Sequence, residues 1–171
     1  MAPNATDKHL VGLPLLVVGP IDVGRLLREL DTVDEHLHQT ELRTKAPATE
    51  VPKLSQLMQQ TVELNKLDLL QPADRQRLLE LLSLVKKDAP LLHISFSADP
   101  NAAFVEKLMA WLRREIHPLV LVTIGLQPNL GAGCIVRSTN KLFDCSLRQD
   151  FMNKRELLME KLAPVEAEAP A

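Results

Sequence analysis

The stretch LLHISFSADPNAAFVEKLMAWLRREIHPLVLVTIG, residues 91–125, changes its hydrophobic period twice and so sets the fold class. Leu91–Ala98 has the composition of a strand. Asp99-Pro100 then reads as a cap followed by proline at the first helical position. The helix it opens runs to about Ile116, with Phe104, Leu108, Trp111, Leu112 and Ile116 on one face. Pro118 ends it, and Leu119–Gly125 is a second apolar strand.

Downstream, Gln127–Leu130 is a loop leading into Gly131-Ala132-Gly133. Cys134–Arg137 and Leu142–Asp144 form a hairpin about Ser138-Thr139-Asn140. A two-residue turn at Thr139-Asn140 sets Cys134 opposite Cys145. Ser146 and Gln149 make a capping-box pattern, and the last helix runs to about Leu162 with Leu147, Phe151, Leu158 and Leu162 on one side.

Upstream the pattern is mostly helical. Residues 1–12 read as a mobile leader, and Leu13–Val18, bounded by Gly12 and Gly19-Pro20, as a short buried strand. Asp22 caps a helix over Val23–Leu37 with Val23, Leu26, Leu27, Leu30, Val33 and Leu37 at helical spacing. Gln39–Lys53, with Pro47 and Pro52, reads as a linker. Helices follow over Leu54–Leu70 and from Pro72 to about Lys87. The expected class is α/β (α+β), a small mixed sheet with flanking helices in the C-terminal half and a helical N-terminal half. The segments are a strand-helix piece and linker at 1–52, a helical hairpin at 53–89, an α/β module at 90–163 and a disordered tail at 164–171.

With 46% hydrophobic and 25% charged residues the chain has enough apolar material for a sizeable core. A net charge of -2, four Phe, one Trp and no Tyr argue against a nucleic-acid binder, which needs a basic face or stacking platforms. No segment approaches the roughly 20 apolar residues that span a bilayer, so direct membrane insertion is not expected. The first residues lack a secretion signal, which places the chain in the cytoplasm with Cys134 and Cys145 as free thiols, read there as two buried small residues.

The chemical motifs fall short. Gly133 is followed by the strand Cys134-Ile135-Val136, whereas a P-loop needs Lys-Ser/Thr leading into a helix. His36 and His38, two apart on a helix, point to different faces, and the cysteine spacing is not that of a zinc site. Ser95, Ser97, Cys134 and Cys145 are available nucleophiles and His93 and His117 available bases, but none sits in a recognisable elbow. No catalytic residue, cofactor or metal is assigned. The surviving ligand-binding alternative is an α/β domain using the Gln127–Gly133 loop, because open sheets place ligands at the carboxyl ends of strands.

The segment GAGCIVRSTNKLFDCSLR, residues 131–148, resembles the signature near the C-terminus of the F-type ATP synthase delta subunit, the oligomycin-sensitivity subunit. The matching residues are Gly131, Gly133, Ile135, Val136, Arg137, Phe143, Asp144, Ser146 and Leu147. Upstream, Ile94-Ser-Phe-Ser-Ala resembles the family's strand ending in Ser-Ala, and a peripheral-stalk protein of the vacuolar-type ATPases has a related glycine-then-hairpin ending. Here Ala132 separates two glycines that are adjacent in the family, and residues 1–89 are too few for its head-gripping helical bundle. The resemblance implies a non-catalytic peripheral-stalk subunit or adaptor, peripheral on the inner face of the cell membrane through its complex. It also implies a helical protein partner, a stalk b-type subunit or the catalytic head. Met152, Leu157 and Met159 extend the apolar stripe of the last helix and are the candidate partner face.

Overall fold

The computed structural model describes residues 12–46 and 49–162; the expected leader, apart from Gly12, and the expected tail lie outside them. The fold is α+β. Helices α1 (Pro20–Thr44), α2 (Gln56–Asn65) and α3 (Pro72–Asp88) come first. They are followed by β1 (Leu91–Phe96), α4 (Ala102–Glu115), β2 (Leu121–Leu126), β3 (Gly133–Arg137) and β4 (Leu142–Ser146), and then by α5 (Arg148–Asn153) and α6 (Arg155–Leu162). The strands make one sheet in the order β2-β1-β3-β4. β1 and β2, joined through α4, run parallel, since Leu121 N donates to Pro90 O and Gln127 N to Phe96 O at the same offset. β3 is antiparallel to both β1 and β4.

The chain divides into two compact units. The first takes the chain up to Leu92 together with Asn101–Thr123; the second takes His93–Pro100 and the chain from Ile124 onward.

The first unit has a continuous core. α1 buries Val23, Leu26, Leu30, Val33 and Leu37, all but Leu27 of the expected stripe, which is itself partly buried. They share a cluster with Met58 of α2 and Leu78, Leu82 and Val85 of α3, and Leu13, Val17, Leu69, Leu119 and Leu121 complete it. Each full burial contributes about 1.5–3 kcal/mol against an exposed side chain. Polar ties fix the helices in register. The Glu29 carboxylate accepts from the backbone and the hydroxyl of Ser55, both at 2.6 Å, while Ser55 Oγ caps α2 by accepting from Met58 N. Arg75 reaches Asp34 Oδ1 at 2.6 Å and donates to the Leu69 and Leu70 carbonyls.

Several element boundaries differ from those read in the sequence. α1 starts at Pro20 and continues to Thr44, because nothing between Gln39 and Thr44 breaks a helix, and the linker is correspondingly shorter. Asp22 lies inside the first turn, and its Oδ2 accepts from Val18 N and Gly19 N, both at 3.0 Å. α2 is confined to Gln56–Asn65 and ends on Lys66 in the left-handed conformation, φ 50°. Leu13–Val18 is not a strand. The Arg113 guanidinium of α4 donates to Leu13 O at 2.6 Å, to Pro14 O at 2.8 Å and to Val17 O, which occupies the carbonyls a ladder would need. Val18 O accepts from β2, from Val122 N at 2.7 Å.

On α4 the cap is Asn101, whose Oδ1 accepts from Phe104 N at 2.8 Å, and not Asp99. A residue preceding proline is held extended, which keeps Asp99 outside the helix. The buried face is Met109 and Leu112; Phe104, Trp111 and Ile116 are about half exposed, at 48%, 50% and 52%. The expected stripe is therefore rotated by part of a turn.

Replacing Arg113 by Ala strips three backbone carbonyls of a charged donor and is expected to lower stability by about 2–4 kcal/mol. Arg113→Lys should recover less than half, because an ammonium cannot span three acceptors as a guanidinium does. Gly24, with open space around its Cβ position on α1, should instead gain about 0.5–1 kcal/mol as Ala. Urea unfolding of the three variants measures all three values.

Candidate functional site

The second unit carries the sequence-derived site residues, and its backbone is ordered around Gly133. This glycine has φ +90°, and a Cβ there would stand 2.3 Å from Cys145 O and 2.9 Å from Ser146 Cα. The close neighbour is thus the backbone of β4, not a helix. Gly131 has φ +73°, with open space where its side chain would be, so it is required for conformation alone.

The hairpin forms in the expected register. Ser138 N donates to Lys141 O at 2.8 Å across the turn, and Cys134 pairs with Cys145, Ile135 with Asp144, Val136 with Phe143 and Arg137 with Leu142. β4 extends to Ser146, beyond the expected end at Asp144. Ser146 does not cap the following helix. Its amide donates to Asp144 Oδ1 at 2.9 Å, and the Ser146 hydroxyl and amide hold the Asp144 carboxyl below the usual carboxylate range. The helix cap is Leu147, and the expected single terminal helix is split at Lys154, whose N–H turns back to Asp150 O and Met152 O.

Strand alternation sorts the residues by face. Ile94, Phe96, Cys134, Val136, Phe143 and Cys145 share one face; His93, Ser95, Ile135, Arg137, Leu142 and Asp144 share the other. Phe143 is 53% and Leu142 64% exposed. Met152, Leu157 and Met159, the candidate partner face, are exposed at 63%, 53% and 62%. Leu126 and Leu147 are exposed as well. The side chains of Phe151, Leu158 and Leu162 lie outside the described set.

The Gln127–Gly133 loop forms a single 3-10 turn at Pro128–Leu130. Its amides are used within the loop: Leu130 N donates to Gln127 O, Gly131 N to Pro128 O and Ala132 N to Leu130 O. Few donors are left to cradle an anion. Leu130 is buried, which anchors the loop. His93 and Ser95 lie over Gly125, where a Cβ would come within 3.1 Å of His93 Nε2 and 3.3 Å of Ser95 Oγ. In the first unit, a cleft of about 180 Å³ is lined by Leu84, Asp88, Ala89, His117 and Leu119. It is smaller than the ~300–1,000 Å³ typical of ligand pockets, and His117 Nδ1 there accepts from Leu119 N. Among the described residues no three His, Cys, Asp or Glu side chains cluster as metal ligands. Nor is any described helix long and apolar enough to cross a membrane.

The sequence matches no protein-family model and no curated relative.

Gly133→Val is expected to lose about 1–3 kcal/mol through backbone strain and the clash with β4. Gly131→Ala should cost about 1 kcal/mol for its positive φ alone. Thermal melts of the two variants separate crowding from conformation.

Proposed function

We propose that the chain is a non-catalytic adaptor of the peripheral-stalk type, similar in role to the delta subunit of an F-type ATP synthase. In this reading its second unit receives a helix from another subunit. The observation that carries the reading is an imbalance of burial. Of the buried hydrophobic side chains among the described residues, Ile94 and Leu130 belong to the second unit and the rest to the first. Against those two, the second unit exposes Leu126, Leu142, Phe143, Leu147, Met152, Leu157 and Met159. Apolar surface concentrated in this way marks an interaction site more often than scattered exposure does. Flexible methionines suit a helix-binding face.

The glycine-entered hairpin followed by helical segments supports the delta-like reading, because the same residues carry the sequence resemblance. The partner would be a stalk helix of the b type, with the contact mainly apolar and its rim charged. The complex would hold the chain at the cytoplasmic face of a membrane.

The test substitutes Met152, Leu157 and Met159 by Glu one at a time and mixes each variant with a synthetic b-type stalk helix. Exposed sites of this kind change stability by no more than about 0.5 kcal/mol, so melting temperatures should hold. Helix binding measured by calorimetry should weaken at least tenfold, about 1.4 kcal/mol, in one or more variants. Unchanged binding, or no binding by the parent chain, overturns the proposal.

A further inference from the structure

The β3–β4 hairpin brings the chain's two cysteines together from opposite strands. Cys134 and Cys145 are register partners, and both are free thiols. Residues directly opposed in an antiparallel pair have Cα atoms about 4.5 or 5.5 Å apart, according to the type of pair. Both separations fall within the roughly 4.4–6.8 Å that a disulfide spans. Their side chains leave the sheet on the same face. Their exposure differs: Cys145 is exposed and Cys134 half-buried. The sequence expectation of two buried small residues therefore does not hold. The two thiols differ instead in exposure, Cys145 being open to solvent and Cys134 half-buried.

We propose that Cys134 and Cys145 form a reversible thiol–disulfide modification site, with Cys145 reacting first with a peroxide and Cys134 resolving the product. The Cys145 sulfur attacks one peroxide oxygen, the O–O bond breaks, and a sulfenic acid forms with release of one water. The Cys134 sulfur then attacks the Cys145 sulfur. The S–S bond forms, the S–O bond breaks, and the departing hydroxide leaves as a second water with the proton from Cys134. Two thiols lose two electrons and two protons, and one peroxide becomes two waters. A dithiol reductant reverses the step by exchange.

The environment supports this order of events. Burial first, and the neighbouring Cys145 second, push the Cys134 thiol up from its ordinary value. Oxidation follows exposure as well as thiolate character, and Cys145 is the more exposed of the two. The site is independent of the adaptor reading, since it needs only the hairpin register.

The test treats the reduced full-length protein with one equivalent of hydrogen peroxide, then counts free thiols and measures the intact mass. Both thiols should disappear together, the mass should fall by two hydrogens, no disulfide should link two chains, and dithiothreitol should restore the starting state. Cys134→Ser should accumulate sulfenic and sulfinic acid at Cys145 or disulfide-linked dimers, and Cys145→Ser should react more slowly than either. Loss of one thiol while the other persists in the parent chain overturns the proposal, and so do intermolecular disulfides in place of the internal one. A melting curve on each Ser variant confirms that the hairpin still folds, and hydrogen exchange across β3 and β4 gives a second reading. Those amides should exchange more slowly in the oxidised chain, and equal exchange overturns the cross-strand assignment.

Discussion

The Arg113 guanidinium is the constraint on which the arrangement of the first unit depends. Residues 13–18 are apolar and flanked by Gly and Pro, and by composition they would add a strand to a sheet. One cation from α4 accommodates three of their carbonyls instead, and the segment becomes an irregular strap whose Leu13 and Val17 side chains enter the core. The exchange has a cost. Burial pushes the guanidinium down to about 10, and its Nε finds no partner. At neutral pH the group is nonetheless a cation, because a value of about 10 lies well above 7. Burial alone would make the folded state gain stability once pH rises above the lowered value; losing the charged donors acts against that gain.

That interaction also explains what the sequence does and does not disclose. The α1 stripe from Val23 to Leu37 was legible because its period is helical and burial follows period. The hairpin register was legible because a two-residue turn leaves no freedom in pairing, so Cys134 meets Cys145. The strand expected at residues 13–18 was not, because its fate depends on Arg113, about a hundred residues away in the chain. Nothing local to either segment encodes that meeting. The caps failed for a similar reason. Ser146 and Asp99 have the right chemistry for helix N-termini, but Ser146 is held by Asp144, and Asp99 is kept extended by Pro100. A side chain with two available partners is not assigned by its spacing.

The candidate site was legible only in part. Gly131 and Gly133 were recognisable, yet their roles differ, one meeting a conformational demand and the other a close approach to β4. The exposure of Met152, Leu157 and Met159 could not be read from a helical wheel, since the same apolar stripe fits a buried helix equally well. The break at Lys154 carries no sequence signal, as neither Pro nor Gly stands near it. The rotated face of α4 shows the same limit. Phe104, Val105, Leu108, Met109, Trp111 and Leu112 leave several faces of that helix hydrophobic, and the face that is buried is that of Met109 and Leu112.

Under the proposed adaptor reading, the edge of the sheet bears on the form of the partner. β4 lies at the edge of the sheet, and an unpaired edge normally invites another strand. This edge is poorly suited to that. It is five residues long, it carries Asp144 midway, and the amide of Ser146 is already bonded to the Asp144 carboxylate. A short strand with an inbuilt charge and an occupied donor offers an incoming backbone few hydrogen bonds. The apolar side chains on the hairpin and the terminal helices lose nothing by being covered. Phe143 alone would bury on the order of 100 Å² on contact, worth about 2–3 kcal/mol at roughly 25 cal/mol per Å². Under the proposed adaptor reading, recognition through side chains favours an amphipathic helix over an added strand.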